Sequence, residues 1–387
     1  MDSTPGQSPD LPASWDQFRR QMPVTERWAY LDHAAVAPLS GPARAALADW
    51  AEDAAQNGDT SYEAWSGRLE GVRALAARLI GAELEEMSLV HNTTEGINLV
   101  AEGFPWQRGD NCVTLADEFP SNLYPWMNLA DRGVETRRVP TDEGRVDLDR
   151  LADACDRRTR IVTLSWVGYS TGWRNDVDRV AEIAHRHAAL LFLDAIQALG
   201  VFPLDVRQTP VDFLAADGHK WLLGPEGAAL FFTRREHLDR LRPIGVGWNS
   251  VRHAHDFSHV ELALKDTAAR YEGGSPNTAG MIALGASLEL LARFDSEAIA
   301  ARVVEITDLA CERLAQIGAR VVSDRRPAHK SGIVMFELPG TDPESARRRC
   351  LEQGVVMSCR AGRLRISPHA YNNAGDVDRL IETLKRM

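Results

Sequence analysis

The sequence predicts an α/β protein: a mainly parallel, seven-stranded sheet in a large domain, followed by a smaller α+β C-terminal domain. Two observations carry this expectation. Seven short apolar runs recur between residues 88 and 233, most of them separated by an amphipathic stretch. Strands that alternate with helices in this way build a parallel sheet covered on both faces. Beyond Asn277 the alternation stops, and long helical stretches are interrupted by isolated apolar segments.

In chain order, residues 1–27 form an N-terminal segment expected to pack on the small domain. Its first dozen residues are polar, proline-rich and expected to be disordered, and a short helix follows over 15–20. The large domain is expected over 28–283, with strands at 88–91, 111–116, 134–139, 160–167, 189–194, 213–216 and 228–233. Helices are expected between most of them, at 95–102, 123–131, 148–156 and 177–187. The small domain, 284–387, takes up helices over 281–294, 298–317, 345–352 and 376–385, and strands at 332–337, 355–357 and 364–366. Sheets of the predicted kind bind ligands at the carboxyl ends of their strands.

Composition narrows the class of function. At 387 residues and 44% hydrophobic, the chain can bury a large core. A net charge of -11 argues against a nucleic-acid or anionic-membrane partner held by bulk attraction. No run approaches transmembrane length, and the start has neither the basic residues nor the apolar stretch of a secretory signal. Five scattered cysteines without a C-x-x-C pair fit a reducing compartment, so a cytoplasmic enzyme is expected.

Four features fall at or near predicted strand ends. After the strand at 213–216, the chain turns through Gly218-His219-Lys220 into Trp221-Leu222-Leu223. An ammonium held against these apolar side chains loses hydration, which lowers its pKa and frees its lone pair for a carbonyl, as a Schiff-base lysine requires. The alternative is a stem packed on Trp221 with its head in water. Asp194 ends another apolar strand, where a buried carboxylate needs a donor or a cation, or serves as a cap. Thr93 and Thr94 stand where a strand passes into a helix, a cup for an anion or an ordinary helix cap. Gly273-Gly274-Ser275-Pro276-Asn277-Thr278 is a glycine-rich turn that ends in a hydroxyl before a helix.

In this order the stretches Thr93-Thr94-Glu95-Gly96-Ile97-Asn98, Ser121-Asn122-Leu123-Tyr124-Pro125-Trp126, Asp194-Ala195-Ile196-Gln197, Gly218-His219-Lys220 and Gly274-Ser275-Pro276-Asn277-Thr278 closely resemble the class V aminotransferase family. Tyr30-Leu31-Asp32-His33-Ala34-Ala35 and Arg365-Ile366-Ser367-Pro368-His369 extend the resemblance over nearly the whole chain. That family holds cysteine desulfurases, selenocysteine lyases, kynureninases, C–S lyases and isopenicillin N epimerase, with pyridoxal 5'-phosphate (PLP) as cofactor and the PLP fold type I architecture. The resemblance implies that Lys220 forms the Schiff base, Asp194 pairs with the pyridine nitrogen and Gln197 contacts the phenolic oxygen. It further implies that Thr93, Thr94 and His219 bind the phosphate and that Arg365 holds the substrate α-carboxylate, with His33 and Tyr169 beside the substrate. Thr278 would reach the phosphate of the partner's cofactor in a homodimer.

Departures from the family bear on the reaction. Where desulfurases place a histidine over the ring, this chain has Phe119, which can stack there but cannot move protons. Phe119-Pro120 and Tyr169 look kynureninase-like, whereas the segment from Gly218 to Gly227 follows the desulfurases. Asp217 would repel a phosphate, so it points away, pairs with a cation or bonds to backbone. Cys359 stands only six positions before Arg365, in a compact stretch; a thiol near Arg360 and Arg363 can have a lowered pKa, but a structural role disfavours persulfide chemistry. The run His253-Ala254-His255-Asp256-Phe257-Ser258-His259 has possible metal spacing but lacks carboxylate or cysteine partners at helical spacing, and no metal is expected.

The expected function is a PLP-dependent reaction on an amino acid through a Cα carbanion, ending in desulfurase-like or C–S lyase β-elimination. Transamination, epimerisation, decarboxylation or a kynureninase-like cleavage would use the same first residues. A non-catalytic PLP-fold binding protein is the reading of another class, against which the presence of both Lys220 and Asp194 speaks.

Overall fold

The computed structural model describes residues 14–387; the disorder expected for the first dozen residues lies outside them. In chain order the elements are α1 (Trp15–Arg20), β1 (Ala29–Tyr30), α2 (Gly41–Asn57), α3 (Tyr62–Ile80), β2 (Met87–Val90), α4 (Thr93–Gly103), β3 (Asn111–Leu115) and α5 (Tyr124–Met127). They continue with β4 (Glu135–Val139), α6 (Leu148–Ala154), β5 (Thr159–Ser165), α7 (Val177–Arg186), β6 (Leu190–Asp194), β7 (Phe213–Asp217) and β8 (Ala229–Thr233). The last third holds α8 (Thr278–Leu291), α9 (Ser296–Gln316), β9 (Arg320–Val321), β10 (Val334–Glu337), α10 (Pro343–Glu352), β11 (Val355–Val356), β12 (Ser358–Arg360), β13 (Arg363–Ile366) and α11 (Ala374–Leu384).

All seven predicted strands join one sheet, in the order β2-β8-β7-β6-β5-β3-β4. Only β8 runs against its neighbours; β2 and β7 are both antiparallel to it and so parallel to each other, as the rest are. Every residue of β7 and β8 is buried, which is why these strands read as continuous apolar runs and not as an alternation. Phe192, Phe213, Phe231 and Phe232 are all fully buried, each contributing roughly 2 to 3 kcal/mol by removal from water.

Helix α4 approaches the sheet closely at Gly96, where a Cβ atom would lie 2.7 Å from Ala215 Cβ of β7. That contact holds the start of α4 beside the carboxyl end of β7. The last third forms the smaller α+β unit, with a four-stranded sheet ordered β12-β13-β10-β9. The front of the chain is tied to it: β1 pairs in parallel with β11, and Arg19 of α1 forks onto Asp376 of α11 at 2.8 and 3.1 Å.

Five elements were not foreseen: α2, α3, β1, β9 and β12. Helices α2 and α3 pack against α8, but α2 buries only Ala43 and Ala46, so it offers no stripe of large apolar residues to read. Strand β12 is three residues long and is defined by its pairing with β13, a tertiary event. The helix expected over 123–131 breaks into α5 and a 3-10 turn at Asn128–Arg132. Among the described residues no helix is long and apolar enough to cross a membrane.

At the amino end of β7, opposite the carboxyl edge of the sheet, Asp212 gathers three elements. Its carboxylate accepts hydrogen bonds from His185 Nε2 of α7, His237 Nε2 beyond β8 and the Leu191 N–H of β6, each at 2.8 Å. Burial works to raise the Asp212 pKa, but these donors outweigh it and hold the carboxyl at about 2, while the bond to Asp212 raises His185 above its ordinary value. The two linkages have opposite signs. The His185 contribution is full below about 6.5 and is lost as pH rises through its folded value. The Asp212 contribution is present above 3.8 and is lost as pH falls towards about 2. Urea unfolding across pH should therefore show this clamp strongest between these limits, and Asp212→Asn should cost roughly 2 to 3 kcal/mol there and flatten the profile above pH 6.5.

Candidate active site

The carboxyl edge of the large sheet collects what the sequence scattered over some 270 positions, from Thr93 to Arg365. Lys220 follows β7 on a closed turn, in which Gly218 N–H donates to Ala228 O, Gly224 N–H to Gly218 O and Leu223 N–H to Lys220 O. Leu223 takes a left-handed backbone with φ 58, a conformation that costs a leucine about 1 to 2 kcal/mol and persists because Ser287 Oγ donates to its carbonyl. Trp221, fully buried, anchors the turn through Nε1 to Gln197 Oε1 at 2.9 Å.

Lys220 is itself buried. Burial lowers its pKa to about 8; Asp194 opposes that fall, and Arg365 adds to it. Asp194 is raised by burial to about 6, against the N–H of Ile196 at 3.1 Å and the charge of Lys220. Among the described residues no basic side chain lies within ion-pair distance of Asp194, so a buried carboxylate remains available for a cationic partner from outside the chain.

The two threonines behave differently. Thr93 is buried, and its hydroxyl oxygen accepts the Asp217 N–H at 2.9 Å. Thr94 is half-buried, and its hydroxyl donates to Ser121 Oγ at 2.9 Å. Thr94 and Ser121 thus form a pair of hydroxyls at the N-terminus of α4, the end whose N–H groups favour an anion. Ser121 was not singled out in the sequence, although it stands two positions after Phe119. His219 Nδ1 lies 2.7 Å from Asp217 Oδ1 but off the line of a hydrogen bond, and the His219 N–H donates to the same oxygen at 3.3 Å. Of the three options open to Asp217, its carboxylate takes the bond to backbone, from the His219 N–H.

Phe119 holds its ring centroid 5.6 Å from Lys220 Nζ and meets Tyr169 edge to face at 5.3 Å. Gln197 is buried, with Nε2 donating to Ala34 O at 3.0 Å and Oε1 taken by Trp221. His33 is not brought to the open site: it is fully buried, with Nδ1 on Ser367 O at 2.9 Å and Nε2 on Tyr371 Oη at 2.7 Å. Thr278 opens α8 as its first residue, behind the capping side chain of Asn277.

Arg365 comes from β13 of the small unit and is 1% exposed. Its Nη1 donates to Tyr169 O at 2.6 Å, its Nε to Ser358 Oγ at 3.1 Å and its Nη2 to Asp32 Oδ1 at 3.2 Å. Burial lowers Arg365 and raises Asp32, and each partly restores the other's charge. Asp32 and Ser358 were missed as site residues; the only signal for Asp32 was its place in the Tyr30–Ala35 stretch.

Cys359 is half-buried, and burial followed by the Glu344 carboxyl raises its thiol, so its arginine neighbours do not produce a thiolate. Burial pushes Cys350 up to about 12. His253, His255 and His259 lie on an exposed loop beside Trp248 and Phe257, and among the described residues they form no three-ligand cluster.

These donors suit PLP. A buried carboxylate without a basic partner meets a pyridinium, a buried lysine of lowered pKa meets an aldehyde, and a helix N-terminus with two hydroxyls meets a phosphate. The chain is 31% identical to a probable cysteine desulfurase of Methanothermobacter thermautotrophicus, over 96% of this chain and 98% of that protein. A solved cysteine desulfurase of Escherichia coli superposes with a TM-score of 0.86 at 27% identity, covering 97% of this chain and 98% of its own. The cystine C–S lyase C-DES shares the fold, with a TM-score of 0.89 at 21% identity over 94% of this chain and 99% of that one. The family model described as aminotransferase class V matches residues 29–380, and the chain belongs to the class V aminotransferase family of pyridoxal phosphate-dependent enzymes.

Proposed function

We propose that this protein is a PLP-dependent C–S lyase, removing a sulfur substituent from the β-carbon of an amino acid by direct elimination. The observation that carries the reading is a buried lysine brought to about 8 beside Asp194, at a site where the half-buried Cys359 thiol is raised and not activated. Similarity to cysteine desulfurases and to a C–S lyase fold supports the sulfur chemistry.

When bound, PLP supplies an electron sink for negative charge developing at Cα. Lys220 would hold the cofactor and, once displaced by the substrate amine, take the Cα proton; a base near the working pH suits that transfer. Asp194 would face the pyridine nitrogen, with Gln197 close to the ring. Thr94, Ser121 and His219 would hold the phosphate at the start of α4, with Thr93 bracing Asp217 behind them. Arg365 would take the α-carboxylate, its guanidinium oriented by Asp32, Ser358 and Tyr169 O. Phe119 would cover the ring without moving a proton, which leaves Lys220 as the acid-base group.

The same reading assigns a cytoplasmic homodimer, with Thr278 reaching the partner's cofactor phosphate, and units over 28–283 and 284–387. Helix α8 crosses from one unit to the other.

Lys220→Ala should abolish the visible absorbance band of the PLP-loaded protein and lower turnover by about 10²- to 10⁴-fold; an unchanged band would refute the assignment. Arg365→Lys should raise KM at least about tenfold with a smaller effect on kcat, read in steady-state kinetics, because a point charge cannot fork a carboxylate. Cys359→Ala should leave release of sulfide, pyruvate and ammonia within about twofold of the parent, and loss of sulfide release would replace direct elimination by a persulfide route.

A further inference from the structure

The small sheet turns one face to the large unit, and that face carries arginines. Strands β12 and β13 pair with Ser358 opposite Arg365, Cys359 opposite Leu364 and Arg360 opposite Arg363. Side chains alternate along a strand, so Cys359 and Leu364 share one face, where Leu364 joins the buried core of the small unit. Arg360, Arg363 and Arg365 share the other. Two of them reach across to the large unit, Arg363 to Glu143 at 3.1 Å and Arg365 to the carbonyl of Tyr169 at 2.6 Å.

These arginines differ in their partners. Arg363 is neutralised by Glu143 and by Glu337 at 2.7 Å, and Arg365 by Asp32 at 3.2 Å. Arg360 has no carboxylate: among the described residues its one side-chain hydrogen bond runs from Nη1 to the carbonyl of Cys359 at 2.8 Å. It is held in place all the same. The two-residue turn after it keeps both Ala361 and Gly362 left-handed, at φ 49 and 71, which clamps β12 onto β13 although that backbone strains an alanine.

Like charges directly opposite in an antiparallel pair repel, and Arg360 is opposite Arg363. It also acts on the site. Burial comes first in lowering Lys220 and Arg365, and the charge of Arg360 adds to both falls. A half-buried guanidinium set among cations is completed by an anion from outside the chain.

We propose that Arg360 is a specificity-determining residue that binds a second carboxylate, carried by the sulfur substituent of the substrate. The inference rests on the C–S lyase reading for the reaction, but not for the anion subsite. Arg360 and Arg365 are offset by two residues along their strands, about 7 Å, a gap that S-(carboxymethyl)-L-cysteine spans between its two carboxylates. Lys220 takes the Cα proton, the Cβ–S bond breaks with its electron pair on sulfur, and the acid-bearing thiolate leaves beside Arg360. One water then converts the remaining three-carbon fragment to pyruvate and ammonia, without an oxidant or a reductant.

Two measurements on the full-length protein test this. In the PLP-loaded enzyme, kcat/KM is compared for S-(carboxymethyl)-L-cysteine and its neutral amide, S-(carbamoylmethyl)-L-cysteine, in the parent and in Arg360→Gln. The variant should lose about 10- to 100-fold with the acid, the size of one charged hydrogen bond, and less than about threefold with the amide. Calorimetry with L-2-aminoadipate, in which a methylene replaces the sulfur and nothing can leave, should show the same loss of affinity in Arg360→Gln and partial recovery in Arg360→Lys. Equal losses with acid and amide would assign Arg360 to the α-carboxylate or to the fold, and no loss with either would leave it outside the site; each result overturns the proposal. Should Arg360→Gln fail to fold, Arg360→Met is held to the same criteria. If neither cysteine derivative releases its thiol from the parent while aminoadipate binding still depends on Arg360, the C–S lyase reading fails and the anion subsite stands.

Discussion

Burying the ammonium of Lys220 is the constraint around which this structure is arranged. A lysine taken out of water must find a counter-charge or lose its proton, and here it does part of each: Asp194 lies close enough to be felt, and the pKa still falls to about 8. The arrangement holds because the turn after β7 is overdetermined. Three backbone hydrogen bonds close it, Ser287 fixes the left-handed Leu223, and Trp221 is bolted to Gln197. Gly96 lets α4 approach β7, so the anion-binding end of a helix stands beside the same turn.

The second fixed point is the guanidinium of Arg365, delivered from the small unit. It is buried, with its donors spread over Asp32 from the front of the chain, Ser358 from the neighbouring strand and the carbonyl of Tyr169 from the turn after β5. One side chain therefore ties three parts of the chain at the place where a substrate carboxylate would dock. The pairing of β1 with β11 and of Arg19 with Asp376 reinforces the same join from the other side. Two cations and two carboxylates thus occupy a region that water does not screen, and small changes in proton position carry large electrostatic consequences there.

Much of the fold was legible because the large sheet is buried on both faces. A strand such as β7, with no exposed residue, can only be an apolar run, and the helices between strands carry amphipathic patterns. Helix α2 escaped notice because its packing relies on alanines, and β12 because three residues have no periodicity to show. In the site, Lys220 and Asp194 could be picked out from sequence because Asp194 ends an apolar strand and Lys220 stands on the turn that follows one, where a polar residue is conspicuous. Which way a side chain turns was not written there. Thr93 and Thr94 are adjacent, yet one braces Asp217 and the other pairs with Ser121, and His33 spends both nitrogens inside an aromatic cluster.

The sequence by itself determined the seven strands of the large sheet and the family, because burial and turn chemistry act locally and leave local patterns. Tertiary structure alone decided the charge state of the site. Desolvation and neighbouring charge depend on groups far apart in the chain, Asp32 with Arg365 and Asp194 with Lys220, which meet only when strands align. The lysine was visible at once; what brings its pKa to about 8 is the folded surroundings that no short stretch of sequence contains.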